Sequence, residues 1–402
     1  MKLLKIGRLD VPRWRWLGAL RQFEQVTVFS AHGEEAPLPD CRFAYHTLEQ
    51  GVNFRRVNTR LMAAARRNKG RPGMARAYLR LLQVINWRQL RRIARQSYDF
   101  VYSSYNDYDE SAIYTLLLKP FLKRNVPLIR ACKETRPEPN WFEGRCFDAA
   151  DVVVLNHPKN LEYFALKHPQ VAWGRKKVLT GLDEDCRAEC VTREMPRSQK
   201  LSEKDGRLHA VILCGVAKSD QSDPRSGARQ FYLPMIQRLI DAGCVVHLHT
   251  LRIEADRNGR DLYRELHDSM PARFLLEAPL DLDRVTPEAG YAVLSRYDVG
   301  VLHNFSRGST VSHFDRVNIP NRFYEYQAAG VFPLVRRGTA EVVEDIIEKH
   351  QCGIIYDELQ EVNHARIMGL KPLHASFEDY FEQLFGQHAA GTATVRLSPS
   401  DK

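Results

Sequence analysis

Between Asn318 and Val335 the chain reads NIPNRFYEYQAAGVFPLV, and within it Arg322 and Glu325 stand three residues apart. On a helix that spacing puts both on one face. Pro320 suits the first turn, where its missing N–H costs nothing, and Asn318 or Asn321 is placed to cap that end. Gly330 stops the helix, and VFPLV continues as a buried strand. Free N–H groups at a helix N-terminus attract phosphate. An arginine beside them and a glutamate one turn deeper fit a nucleoside diphosphate: the cation meets phosphate, and the carboxylate accepts from two ribose hydroxyls. The same spacing equally suits an exposed i,i+3 ion pair, and the residues alone do not choose.

Metal chemistry has little to stand on. Of eight cysteines, only Cys186 and Cys190 lie close together, and this C-x3-C lacks a second Cys or His pair at zinc spacing. Reduced thiols and no metal or other cofactor are expected.

The elements that must position these groups alternate. Strand-like runs at 3–9, 25–31, 99–105, 126–132 and 151–156 are separated by helical patterns at 14–23, 74–96, 111–123 and around 146–150. After a charge-rich stretch the alternation restarts, with strands at 208–216, 244–251, 272–278 and 298–304 and helices at 229–243, 261–270 and 288–296. This pattern predicts α/β architecture: two Rossmann-like, doubly wound parallel-sheet domains facing a cleft, with ligands beyond the carboxyl ends of the strands. The expected boundaries are a first domain over 1–185, a linker over 186–207, a second domain over 208–372, a terminal helix over 373–388 and a frayed tail over 389–402. A length of 402 residues is too great for one core, and 44% hydrophobic content suffices to bury two.

Charge is unevenly spread. Thirteen Lys and Arg residues stand from Arg55 to Arg95 with no Asp or Glu among them, within a net charge of +10. Such a block predicts a negatively charged partner: an anionic membrane surface, a phosphorylated acceptor or nucleic acid. Nucleic acid is disfavoured, because Tyr78 and Trp87 are the only aromatics from Met74 to Arg95. No apolar run approaches the roughly 18–20 residues of a membrane-spanning helix. MKLLKIGRLDVPRWRW lacks the apolar centre of a secretory signal, so a cytoplasmic protein, peripheral at most on the inner membrane face, is expected.

The core P-x-x-x-x-E-Y-x-A-x-G-x-x-P resembles the donor-site helix of GT-B glycosyltransferases, most nearly the bacterial family four (glycosyltransferase group 1). SRYDVGVLHNF (295–305), HQCGIIYDE (350–358), FDAADVVVLNHPKNLEYF (147–164) and SFEDYFEQLF (376–385) resemble that family's neighbouring segments in the same order, the last being a terminal helix that returns to the first domain. The resemblance implies transfer of a sugar from a nucleotide-sugar donor to a glycan or lipid-linked acceptor, in cell-envelope polysaccharide or lipid-linked glycan assembly. It implies donor contacts from Glu325 on the ribose, Asn321 and Arg322 at the diphosphate, and Gly215, Lys218, Arg225 and Arg229 in the loop after the second domain's first strand. It implies a catalytic set of Lys218 for the leaving group and Asp107 or Glu134 as base, with Asp109 and Glu110 as neighbouring candidates. Each of these acids reads equally as a turn residue or helix cap, and His157 reads as structural. Two features depart from the family. The carboxylate that retaining members carry seven residues before the ribose-binding one is missing near Val317, with Asp315 out of register. The glycine-rich turn after the first strand is reduced to Gly7 in IGRLDVPRW. Nucleotide-sugar epimerisation on the same scaffold is the second reading.

Overall fold

The computed structural model describes residues 1–7, 23–30, 42–46, 48, 52–104, 109–132, 138–180, 197–220, 230–280, 287–304 and 311–373. The chain divides into two compact units between Glu184 and Asp185.

The first unit is built on a parallel sheet of β1 (Lys2–Ile6), β2 (Gln25–Phe29), β3 (Arg42–His46), β4 (Phe100–Ser103), β5 (Leu128–Cys132), β6 (Val152–Leu155) and β7 (Lys177–Thr180), in the order 3-2-1-4-5-6-7. β1 is shorter than the run at 3–9 suggests. It ends at Gly7, whose φ is +97° and whose Cβ, if present, would lie 3.2 Å from the Ser104 carbonyl oxygen. Both conditions select glycine. Its helices are α1 (Val52–Arg67), α2 (Pro72–Ala94), α3 (Glu110–Leu118), α4 (Trp141–Ala149) and α5 (Pro158–Lys167). The spacing of Leu79, Leu82, Ile85, Leu90 and Ile93 predicts one apolar stripe on α2; four of them face the core, whereas Ile85 is only partly buried and Asn86 is buried beside the stripe instead. That buried amide is matched by Asn58 of α1, each Nδ2 donating to the other's Oδ1 at 3.0 and 2.9 Å. Reciprocal pairing satisfies two amides that would otherwise be costly to bury. The strand β3 and the helices α1 and α5 had no separate sequence signal.

The second unit has β8 (His209–Lys218), β9 (Val245–Glu254), β10 (Phe274–Glu277), β11 (Val299–Val301), β12 (Phe332–Arg336) and β13 (Ile354–Tyr356), all parallel, in the order 10-9-8-11-12-13. Its helices are α6 (Ser202–Asp205), α7 (Leu233–Asp241), α8 (Leu262–Ser269), α9 (Pro287–Leu294), α10 (His313–Val317), α11 (Asn321–Ala329), α12 (Glu341–His350) and α13 (His364–Met368). Counted from its first strand, this order repeats that of the first unit less the seventh strand, and both are doubly wound. Buried side chains cover both sheet faces, which is why the strands read as apolar runs.

The expected linker needs correction over 197–207. The Ser198 hydroxyl donates to the Ala292 carbonyl at 2.8 Å, and the Leu201 N–H donates to the Arg296 carbonyl at 2.9 Å. Lys200 donates from Nζ to the Tyr297 and Gly330 carbonyls. A charged sequence without apolar period reads as a tether, yet its backbone and side-chain donors satisfy carbonyls of the second unit, so it is part of that unit. Burial pushes the Lys200 ammonium down to about 8, against the pull of Asp298. The helix expected at 14–23, most of the helix at 373–388, and the tail lie outside the described residues.

Candidate functional site in the second unit

The helix α11 begins after Pro320, which holds the cap position with φ −62° and ψ 143° and provides no side-chain cap. Neither Asn318 nor Asn321 takes that role. The helix stops at Gly330 in the left-handed region, φ 66°, as its position in the sequence predicts. Asn318, which stands seven residues before Glu325, is buried, and its Oδ1 has no hydrogen-bond partner among the described residues.

Three side chains fasten α11. Arg322 donates from Nη1 to the Leu213 carbonyl at 2.7 Å and to the Tyr232 hydroxyl at 3.2 Å. The Tyr326 hydroxyl accepts from the Leu213 N–H at 3.3 Å and lies 3.4 Å from the Val301 carbonyl oxygen. Gln327 donates to the Cys352 carbonyl and accepts from the Leu373 N–H, both at 2.6 Å. The Tyr326 ring fits only because position 300 is glycine: a Cβ there would stand 2.4 Å from ring carbons. Tyr326 also reaches the carbonyl of Val211 while Arg322 meets Leu213, so the helix runs down the sheet with its N-terminus towards the carboxyl ends of the strands.

This geometry excludes the exposed Arg322–Glu325 pair. Arg322 turns its Nη1 to β8 and to Tyr232 at the start of α7, and burial of its guanidinium is outweighed by the Tyr232 and Tyr326 oxygens, which hold its charge. Glu325 is only 9% exposed and lies one turn deeper on the same side. Sequence reasoning missed Tyr232 and Tyr326, and it gave Asn318 only a capping role. The two tyrosines read as ordinary core residues, and only the exact seven-residue offset from Glu325 singles out Asn318.

The opposing edge is the end of β8. The strand continues to Lys218, past the expected stop at Val216, because β9 keeps pace with it and Lys218 pairs with Glu254 in register. Lys218 is thus a strand residue, its Nζ 3.8 Å from Glu254 Oε2, rather than an exposed loop cation. Gly215 is exposed, with open space where a side chain would start. Asn304, just beyond β11, donates to the Phe231 carbonyl at 2.8 Å and ties the segment before α7 to this edge. Arg225 and Arg229 lie outside the described residues.

In the first unit, Asp107 and Glu134 also lie outside the described residues. Their neighbours Asp109 and Glu110 are engaged by α1 and its C-terminal turn. Lys69 Nζ is 3.0 Å from Asp109 Oδ2, Asn140 donates to Asp109 Oδ1 at 2.6 Å, and Arg66 pairs with Glu110. A carboxylate held by a cation and an amide is a tether between the elements that carry them. His157 caps α5, accepting from the Lys159 N–H at 3.3 Å, which is the structural role expected of it. Beside the carboxyl ends of β1, β4 and β5, Lys5 and Arg130 are fully buried. Lys5 donates to the Ser104 hydroxyl, and Arg130 donates to the Ser103 and Ser111 hydroxyls at 2.7 and 2.8 Å.

Among the described residues no group of three or more His, Cys, Asp and Glu is arranged to hold a metal ion, and Cys186 and Cys190 lie outside them. The described cysteines, Cys132, Cys146, Cys214, Cys244 and Cys352, are free thiols.

No protein-family profile matches this chain, and no curated protein matches it. Solved structures do. The catalytic domain of starch synthase IV from Arabidopsis thaliana, bound to ADP and acarbose, superposes with a TM-score of 0.52 at 9% identity, covering 97% of this chain and 99% of that one. A putative UDP-N-acetylglucosamine 2-epimerase from Listeria monocytogenes gives 0.50 at 12% identity, covering 98% and 97%. Likeness at such low identity speaks for the fold, and with the two parallel sheets it shows that this chain has the two-domain α/β GT-B fold.

Proposed function

We propose that the protein is a glycosyltransferase that binds a nucleotide-sugar donor at the carboxyl edge of the second unit. The observation that carries this reading is α11 itself: an uncapped N-terminus directed to the carboxyl ends of β8 and β11, with Glu325 buried one turn deeper. In this reading Glu325 accepts from the ribose hydroxyls, the N–H groups at Asn321 and Arg322 meet the diphosphate, and Gly215 lets phosphate approach the backbone. Lys218, Arg225 and Arg229 supply positive charge to the leaving group. Arg322 sets the helix through Nη1, and the rest of its guanidinium adds positive charge at the diphosphate end.

The transfer breaks the bond between the anomeric carbon and the diphosphate oxygen and forms one to an acceptor hydroxyl. That hydroxyl's proton goes to Asp107 or Glu134 in an inverting course, or to the departing phosphate in a retaining one. We place the acceptor among cell-envelope glycans or lipid-linked saccharides, the class the resemblance implies. Starch synthase IV is bound to ADP and the putative epimerase is named for UDP-N-acetylglucosamine, and the nucleoside diphosphate common to both supports the donor class.

The test is donor binding. Glu325→Ala is expected to keep the fold and to lower affinity for the matching nucleoside diphosphate sugar by about 10–100-fold, the loss of hydrogen bonds to a charged group. Unchanged affinity in calorimetric titration would remove Glu325 from the site. Epimerisation is the second reading on the same helix. It predicts a new sugar from donor alone, whereas transfer requires an acceptor.

A further inference from the structure

We propose that the outer face of α2 is a membrane-docking surface that lies in the headgroup layer of an anionic bilayer. The buried residues of this helix, Ala75, Leu79, Leu82, Asn86, Leu90, Ile93 and Ala94, occupy one side of it. On the opposite arc stand Met74, Leu81, Val84 and Trp87, exposed by 45, 44, 69 and 44%. An amphipathic helix packed on a core should turn polar residues outward. This one turns out an apolar stripe and surrounds it with exposed arginines: Arg80, Arg88, Arg91, Arg92 and Arg95.

The chemistry of the face selects the partner. The Arg88 and Arg91 guanidinium carbons lie 5.8 and 5.6 Å from the Trp87 ring centroid, an arrangement that presents an aromatic body with cations around it. Trp at the boundary layer, aliphatics towards the acyl chains and arginines reaching phosphate headgroups are the three parts of an interfacial helix. Nucleic acid would use the arginines but leave Val84 and Leu81 without a partner. An acidic protein would meet the same cations, yet the face has no carboxylate to set a register: no Asp or Glu occurs from Arg55 to Arg95. No helix among the described residues is long and apolar enough to cross a membrane, so α2 lies along the surface. This inference stands apart from the donor site and does not need it.

Co-sedimentation of the full chain with phosphatidylcholine vesicles, with and without phosphatidylglycerol, tests it. Binding is expected only to the anionic vesicles, weakening as salt rises, by about fivefold for each arginine replaced in Arg88→Gln and Arg91→Gln. Val84→Asp and Trp87→Ala are expected to weaken it by about tenfold or more without moving the thermal transition, since both side chains are exposed. A blue shift of tryptophan emission on anionic vesicles, lost in Trp87→Phe, would place the stripe in the lipid. No binding at low salt would overturn the proposal. Binding insensitive to Val84→Asp and Trp87→Ala would overturn it too. So would a dimer in solution that Val84→Asp dissociates, or tighter salt-dependent binding to duplex DNA than to vesicles.

Discussion

Helices α3 and α11 occupy the same place in two sheets of the same order. Each follows the strand beside the first one, β4 or β11, and leads into the next. They are fastened in opposite ways. In the first unit the cation is on the sheet: Arg130 of β5 is fully buried and reaches up to Ser111 of α3 and to Ser103 of β4. In the second unit the cation is on the helix, where Arg322 reaches down to β8 with Tyr326 beside it. Nearly every α3 residue is buried, so that helix is core. By contrast, α11 keeps Asn321 and Arg322 partly accessible at an uncapped end. A cation anchored from the helix leaves that helix's N-terminus available to an anionic ligand; one rising from the strand fills the corresponding space from below.

The difference can be broken most severely at Arg130. Arg130→Ala leaves a cavity and removes the donor to the Ser103 and Ser111 hydroxyls, and is expected to cost about 3–5 kcal/mol. All five tryptophans precede residue 174, so the urea transition followed by tryptophan emission reports this unit. Next is Gly300→Ala, which drives the Tyr326 ring from its seat. It is expected to cost about 2–3 kcal/mol in the second unit, read by circular dichroism, and to weaken donor binding with it. Arg322→Ala should cost less, about 1–2 kcal/mol, because Arg322 stands at a partly accessible helix end where water can replace part of its two hydrogen bonds. Should Arg322→Ala prove as damaging as Arg130→Ala, the contrast between the two helices fails. Tyr326→Phe sharpens the comparison further, with about 1 kcal/mol expected for one hydroxyl.

The last effect is read in pH. Lys200, which ties 197–207 to Gly330 at the end of α11, has its ammonium lowered by burial to about 8 from an ordinary 10.5. Between those values the unfolded chain binds the extra proton, so the contribution of Lys200 to stability rises as pH increases from about 8 towards 10.5. Lys200→Met should lack that rise, seen as a wild-type minus variant difference in urea midpoint that grows across this window.

Periodicity was a reliable guide where local chemistry decides. The inner stripe of α2, the glycine that ends α11 and the alternation of two doubly wound units all follow from side-chain spacing and backbone preference. Arg322 shows where that guidance ended. Its distance from Glu325 along a helix was legible, but whether its guanidinium met Glu325, phosphate or the sheet depended on Leu213 and Tyr232, 109 and 90 residues away. The segment 197–207 failed for the same reason, since hydrogen bonds to residues near 295 carry no local period.

Composition and spacing by themselves determined a two-domain α/β chain, one helix with an arginine and a glutamate on a shared face, and a basic block without acids. Only the tertiary structure decided which of those charges are struts, which are tethers and which face outward. Helical and strand periods are set by neighbours a few residues apart, whereas burial and the partner of a charge are set by whatever the fold brings against it.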